Sequence, residues 1–402
     1  MYVAYGQAAL EISSIKGVAR SLSPPLLDCG DDVQGTPTPA LLHHFQHNWR
    51  AIFALPNAGN FLPLCHGRPY LRNAVLAVAA CHLRHHSPNP GRHRLAEHFR
   101  QVLALRDFQG ALSQPVGSLG PDEVGIVILG AVLLNLLTFI LPADEDPTPA
   151  ATAATGADLS RSWVFSERTD RLDWLAVQLG LKPLLMETRL NRRGVSLGPL
   201  FDTPDDRRRD FLKGVSEPDH CVPDIWLSAF EISCNQPCQD ATGDSQYSPP
   251  RKRMQDLGAE ELNWFIFWKP LCALAVIRDV EPIEANIYMY LQFAGTLEPE
   301  FCLRLYQRDE RALWVFGYWL GLMCRFEYIW WCGRRVRRDF TAIAIWLRCC
   351  GVTARPGEEG LLWTAMIADL EDSASWPPGS AMSRAHWDTE LLKAEGGGRF
   401  VA

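Results

Sequence analysis

The chain has 402 residues, a formal net charge of -7 at pH 7 and 47% hydrophobic residues, enough to bury a large core in one large unit or two modest ones. The acidic balance argues against a surface built mainly to hold phosphates, so direct nucleic-acid binding by this chain is not expected. Twelve cysteines stand mostly singly within apolar helical patterns, as in a reducing compartment, and Met1–Arg20 lacks the basic start and apolar run of a secretory leader.

Residues 1–37 read as an irregular segment, with Ser23-Pro24-Pro25 and Gly30-Asp31-Asp32 as loop. Order is expected from Thr38-Pro39, an N-cap followed by proline, opening a helix with Leu41, Leu42, Phe45, Trp49 and Ile52 on one face. A second helix opens at Pro69, and a third runs from about Arg92 to Leu112 with Leu95, Phe99, Val102, Leu103 and Leu112 inward. Val124–Leu141 is uncharged and close to the lower limit for spanning a bilayer. Acidic flanks, Asn135, Thr138 and the lack of an aromatic or basic belt make it a core helix and not a span.

Residues 142–161 are rich in Pro, Ala, Thr and Asp and are expected to be a mobile loop, as are 234–258. Between them a helix from Arg171 should end at Pro183, and a short one should cover Asp224–Ser233. Further helices are expected over Glu260–Asp279, Pro282–Leu297, Pro299–Cys324, Val336–Cys349 and Gly360–Leu370, with a loose tail over 373–402. No segment alternates long enough to be a strand. The fold class is therefore all-α, a large bundle or solenoid-like domain of about ten helices over 38–372.

The densest stretch is Arg308–Cys349. Ala312–Cys324 is apolar around its whole circumference, as in a helix buried on every side. An elbow with Trp330 and Trp331 follows, and then the run Arg334-Arg335-Val336-Arg337-Arg338, expected to be a helical turn with a solvated face whose Arg334 or Arg335 could stack on those indoles. Gly317 and Gly321 inside the apolar helix should permit close packing, and Cys349-Cys350 at a helix end reads as packing.

Motifs with chemistry are sparse. His43 and His47 lie four apart on a helix, but no third ligand completes a zinc set, so they read as partly exposed histidines, as do His82, His85 and His86. Cys221, Cys234 and Cys238, with His220, read as a chance cluster. Pro250-Arg251-Lys252-Arg253 is a short basic run of the kind an import receptor reads. No nucleophile elbow, phosphate loop or dinucleotide fingerprint is present, so no cofactor or metal is implied.

Taken in order, LLHHFQHNW, PYLRNAVLAVAACHLRHH, LAEHFRQVLALRDFQGAL and ALWVFGYWLGLMCRFEYIWWCGRRVRRDFTAI resemble the regulatory, effector-binding domain of fungal zinc-cluster transcription factors, on the sterol-regulator branch. The resemblance spans about 38–350 and implies an all-α fold with an internal hydrophobic pocket, in the nucleus or cytoplasm. It implies a ligand such as a sterol, terpenoid or polyketide, and protein partners, a second copy of this chain among them. Before the first helix stands only Cys29, so the six-cysteine zinc cluster of that family is not expected here.

Of fourteen tryptophans, several fall near the C-terminal core. Trp264, Trp268, Phe316, Trp319, Met323, Phe326, Trp330 and Trp331 are the candidate pocket wall. Two readings follow. One is a transcription-factor-like regulator sensing a hydrophobic molecule in sterol or secondary metabolism. The other is a biosynthetic cyclase, pericyclase or isomerase reusing the same pocket, with Tyr318, an indole N–H or a histidine polarising a carbonyl.

Overall fold

The computed structural model describes residues 35–53, 62–112, 120–141, 159–187, 222–232 and 258–376. The expected loops at 142–161 and 234–258 fall almost wholly outside the described residues, as do the basic run at Pro250–Arg253, Cys221, Cys234 and Cys238. Among the described residues the regular elements are α-helices and short 3-10 segments and no strand occurs, so the all-α expectation holds. No described helix is long and apolar enough to cross a membrane. Contacts divide the chain into two units, the first comprising residues 1–153, 166–204 and 327–335 and the second comprising 154–165, 205–326 and 336–402.

Unit 1 is built on α1 (Thr38–Phe53), α2 (Pro69–His86), α3 (Gly91–Leu112), α4 (Pro121–Phe139) and α5 (Asp173–Glu187). Pro69 opens α2 at a position where the missing N–H costs nothing, and thirteen of its eighteen residues are buried. In α1 the buried side chains are Leu41, Phe45, Ile52 and Phe53, close to the expected face. The α3 face is turned from the expected one: Ala96, Glu97, Gln101, Ala104, Leu105 and Phe108 point inward, and Leu95 is 46% exposed. The reason is Glu97, which lies inside because buried Arg84 donates to it at 2.5 Å. A buried ion pair of this kind hides a polar residue on the core face, where an apolar pattern cannot register it. The α4 stretch is a core helix, with Val124, Val127, Ile128 and Leu133 almost wholly inaccessible. Pro183 does not end α5, which continues to Glu187.

Unit 2 contains α6 (Asp224–Phe230), α7 (Ala259–Ile277), α8 (Ile287–Leu291), α9 (Pro299–Tyr306), α10 (Glu310–Cys324), α11 (Gly333–Cys349, from Val336 onward) and α12 (Glu358–Asp372). The single helix expected over Pro282–Leu297 is broken into 3-10 turns flanking α8. That expected over Pro299–Cys324 is two helices. Arg308 adopts φ 57, and Asp309 then caps α10 by accepting from the Ala312 N–H at 3.0 Å. All residues from Ala312 to Cys324 are buried, as the uniform apolarity required. Gly317 and Gly321 explain how α10 packs so closely: a Cβ at 317 would meet Ile343 at 2.8 Å, and one at 321 would meet Phe340 at 2.8 Å.

The Arg334–Arg338 run is not a solvated face. Arg335 is 5% and Arg338 2% exposed. In unit 2, Arg338 donates to Asp339 at 3.0 Å, and the Ser162 hydroxyl donates to the same carboxylate oxygen at 2.8 Å. Guanidinium groups whose donors meet carboxylates and carbonyls can be buried at a tolerable cost, which a count of charges does not reveal.

Candidate functional site

The tryptophan elbow belongs to unit 1, where it meets the C-terminal ends of two helices. Carbonyls of a helix's last turn have no partner within the helix. The Trp330 indole donates to the Ile52 carbonyl at 2.9 Å and the Trp331 indole to that of Phe53 at 3.4 Å, so both serve the end of α1. Arg335 serves the end of α4, donating to the carbonyls of Phe139 and, at 3.4 Å, Thr138. Its guanidinium lies 4.5 Å from the Trp174 ring and 5.9 Å from that of Phe139. The positive group thus meets the negative end of a helix and two aromatic faces. Of the two arginines expected to stack on an indole, Arg335 lies over Trp174 and Phe139.

Around Trp330 stands a group of histidines. His82 packs edge-on at 5.0 Å between centroids, and His85 lies at 5.6 Å. His44 of α1 and His82 of α2 share a hydrogen bond of 2.9 Å between ring nitrogens, and Asn48 reaches His44 at 3.2 Å. His82 is 8% exposed, which corrects the partly exposed reading for that residue, whereas His43, His47 and His86 are exposed as expected. Burial, helped by neighbouring His86, His44 and His85, pushes His82 down to about 3. Burial and then Arg334, His86 and Arg84 push His85 down to about 4. Burial also lowers His44 and His86. These rings are therefore neutral at pH 7, which lets His44 and His82 share one proton in their hydrogen bond. Among the described residues no group of three or more His, Cys, Asp or Glu side chains is placed to hold a metal ion. Part of the signal was in the sequence, since histidines at 82 and 86 share a helix face, but the contact with Trp330 was not.

In unit 2 the candidate residues divide into two groups. Phe316 and Trp319 pack at 5.2 Å on α10, Phe293 stacks on Trp319 at 5.4 Å, and Tyr290 meets Phe326 edge-on at 4.8 Å. The Trp319 indole donates to the Tyr290 carbonyl at 2.8 Å, which ties these rings into one aromatic cluster. Met323 is fully buried on the same helix. Trp264 and Trp268 stack on each other at 6.2 Å, half-buried on α7. The remaining two candidates, Trp330 and Trp331, belong to unit 1.

A polar node not singled out in the sequence lies beside α10. The Trp226 indole donates to Asp369 at 2.6 Å, Tyr318 donates to its other oxygen at 3.4 Å, and Arg278 lies over Trp226 at 5.5 Å. Burial raises the Asp369 carboxyl above its usual range, and the Trp226 hydrogen bond opposes it. Tyr318 is raised by burial and by Asp369, so it stays a protonated donor. Tyr318 is thus committed to a carboxylate within the protein.

Residues 40–143 match the fungal specific transcription factor domain. The match covers α1 to α4 of unit 1, including His44, His82 and the carbonyls that the tryptophan elbow serves. It agrees with the resemblance carried by the N-terminal helices. No curated protein matches the chain. No solved structure matches it either.

Proposed function

We propose that this chain is a transcription regulator of the fungal type whose activity responds to a hydrophobic small molecule, a sterol, terpenoid or polyketide, in sterol or secondary metabolism. The single observation that carries the reading is the match of residues 40–143 to the fungal specific transcription factor domain. It favours the regulator over the biosynthetic enzyme. In this proposal residues 38–372 act as the regulatory part, in the nucleus or cytoplasm, through protein partners that include a second copy. The residues before α1 carry one cysteine, Cys29, so these residues do not themselves supply a six-cysteine DNA reader.

The ligand is proposed to lie against the side chains of Trp264, Trp268, Phe316, Trp319, Met323 and Phe326 in unit 2. Rigid rings offer large apolar area at little entropic cost, which suits a polycyclic ligand. Binding that prefers one packing of these helices by tenfold shifts the equilibrium by about 1.4 kcal/mol, enough to expose or hide a partner surface. Deleting the gene in its source organism and measuring transcripts tests the reading. A coherent set of changed transcripts is expected, and an unchanged profile under conditions where the gene is expressed overturns it.

A further inference from the structure

The C-terminal end of α11 carries two adjacent thiols. Cys349 is the last helical residue and Cys350 the first beyond it, and both are exposed, so their reading as packing residues is corrected. Neither forms a disulfide, and every other described cysteine is buried or partly so. The helix stops here for a reason that the backbone states: Gly351 takes φ 66, a left-handed conformation that glycine adopts freely. Bonds from Cys350 N–H to the Trp346 carbonyl, 2.9 Å, and from Gly351 N–H to that of Arg348, 3.0 Å, close the end of the helix.

We propose that Cys349 and Cys350 form a dithiol site that captures a trivalent arsenical. One feature selects this chemistry over a direct disulfide. Adjacent Cα atoms stand about 3.8 Å apart, below the roughly 4.4–6.8 Å span of ordinary disulfides, so an S–S bond between neighbours is strained and easily reduced. A single arsenic atom between the sulfurs enlarges the ring and removes that strain.

Capture by arsenic involves no change of oxidation state. Each S–H condenses with an As–OH: the As–O and S–H bonds break, an As–S bond forms, and the thiol proton leaves with the hydroxide as water. Two such steps close the chelate and release two waters. Consecutive side chains on a helix point away from each other, so closure requires Cys350 to rotate out of the final turn. That costs the Cys350 and Gly351 backbone hydrogen bonds. The turn also bears Arg348, whose guanidinium binds Glu371 of α12, so closure loosens the pairing of α11 with α12 inside unit 2.

The test uses the full chain, phenylarsine oxide as probe, and the variants Cys349→Ser and Cys350→Ser. Intact mass spectrometry should show arsenic bound with loss of two waters' worth of mass relative to the hydrated probe. Peptide mapping after iodoacetamide should show Cys349 and Cys350 protected together. Each single variant should bind at this peptide about 100-fold more weakly, because the second bond in the wild type is intramolecular. Hydrogen exchange over residues 346–351 should quicken on binding in the wild type alone. Wild-type affinity at this peptide in either serine variant overturns the proposal, as does alkylation of both thiols while arsenic resides on other cysteines.

Discussion

Acidification from pH 7.5 to 5.0 should weaken unit 1 through His82, and the size of the effect follows from the structure. The ring is buried beside Trp330 and bonded to His44, and its pKa falls from the ordinary 6.5 to about 3. As pH drops through 6.5 the unfolded chain takes up a proton at this residue, while the folded chain does so only near 3. Between these values the unfolded state holds more protons, so stability is fully present above 6.5 and is lost progressively as pH falls toward 3. At pH 5.0 the loss spans about 1.5 pH units at about 1.4 kcal/mol each, or roughly 2 kcal/mol. This figure is insensitive to where the folded value lies below about 4, because the folded ring is still neutral at pH 5.0. The comparison protein is His82→Gln, which cannot titrate and retains hydrogen-bonding capacity. The remaining histidines and the carboxylates are common to both proteins. Removing a future positive charge near His44, His85 and His86 acts in the same direction. Urea unfolding followed by far-UV circular dichroism at both pH values should show the wild type losing about 2 kcal/mol more than the variant. Equal losses, to within about 0.5 kcal/mol, would refute the burial argument.

Arg335→Ala should destabilise unit 1 by about 2–4 kcal/mol, since it strips the last carbonyls of α4 of a charged donor and Trp174 of its cation, and Arg335→Lys should recover only part of this in thermal denaturation. A loss below about 0.5 kcal/mol would show that water serves those carbonyls equally well. Gly321→Ala should cost about 1–3 kcal/mol, because the new methyl meets Ser373 and Phe340 where α10 packs most closely, and unchanged stability would contradict that geometry.

How much of this was legible in the sequence differs from element to element. Proline at Pro69 and the uncharged stretch before Leu141 marked α2 and α4 well, because a helix start and a fully buried helix each leave a local signature. The α3 face was misjudged because Glu97 sits in the core on account of Arg84, thirteen residues away. The break at Arg308–Asp309 was missed because the left-handed arginine is held by a long-range bond to the Val164 carbonyl, although Asp309 is a local N-cap signal. Of the candidate site, the aromatic density of α10 was evident from residue type alone. That Trp330 would meet His82 was not, since the partners lie far apart in the chain and histidine burial depends on a neighbour that no periodicity announces.

The match of residues 40–143 leads us to propose that this chain regulates transcription. The most direct test is to fuse residues 1–402 to a heterologous DNA-binding domain and measure a reporter carrying that domain's sites in a fungal host, with and without a panel of sterols, terpenoids and polyketides. Reporter output should differ from that of the DNA-binding domain alone and change with at least one class of hydrophobic compound. Output equal to that of the DNA-binding domain alone under every condition, from a fusion shown to be expressed and folded, would contradict it.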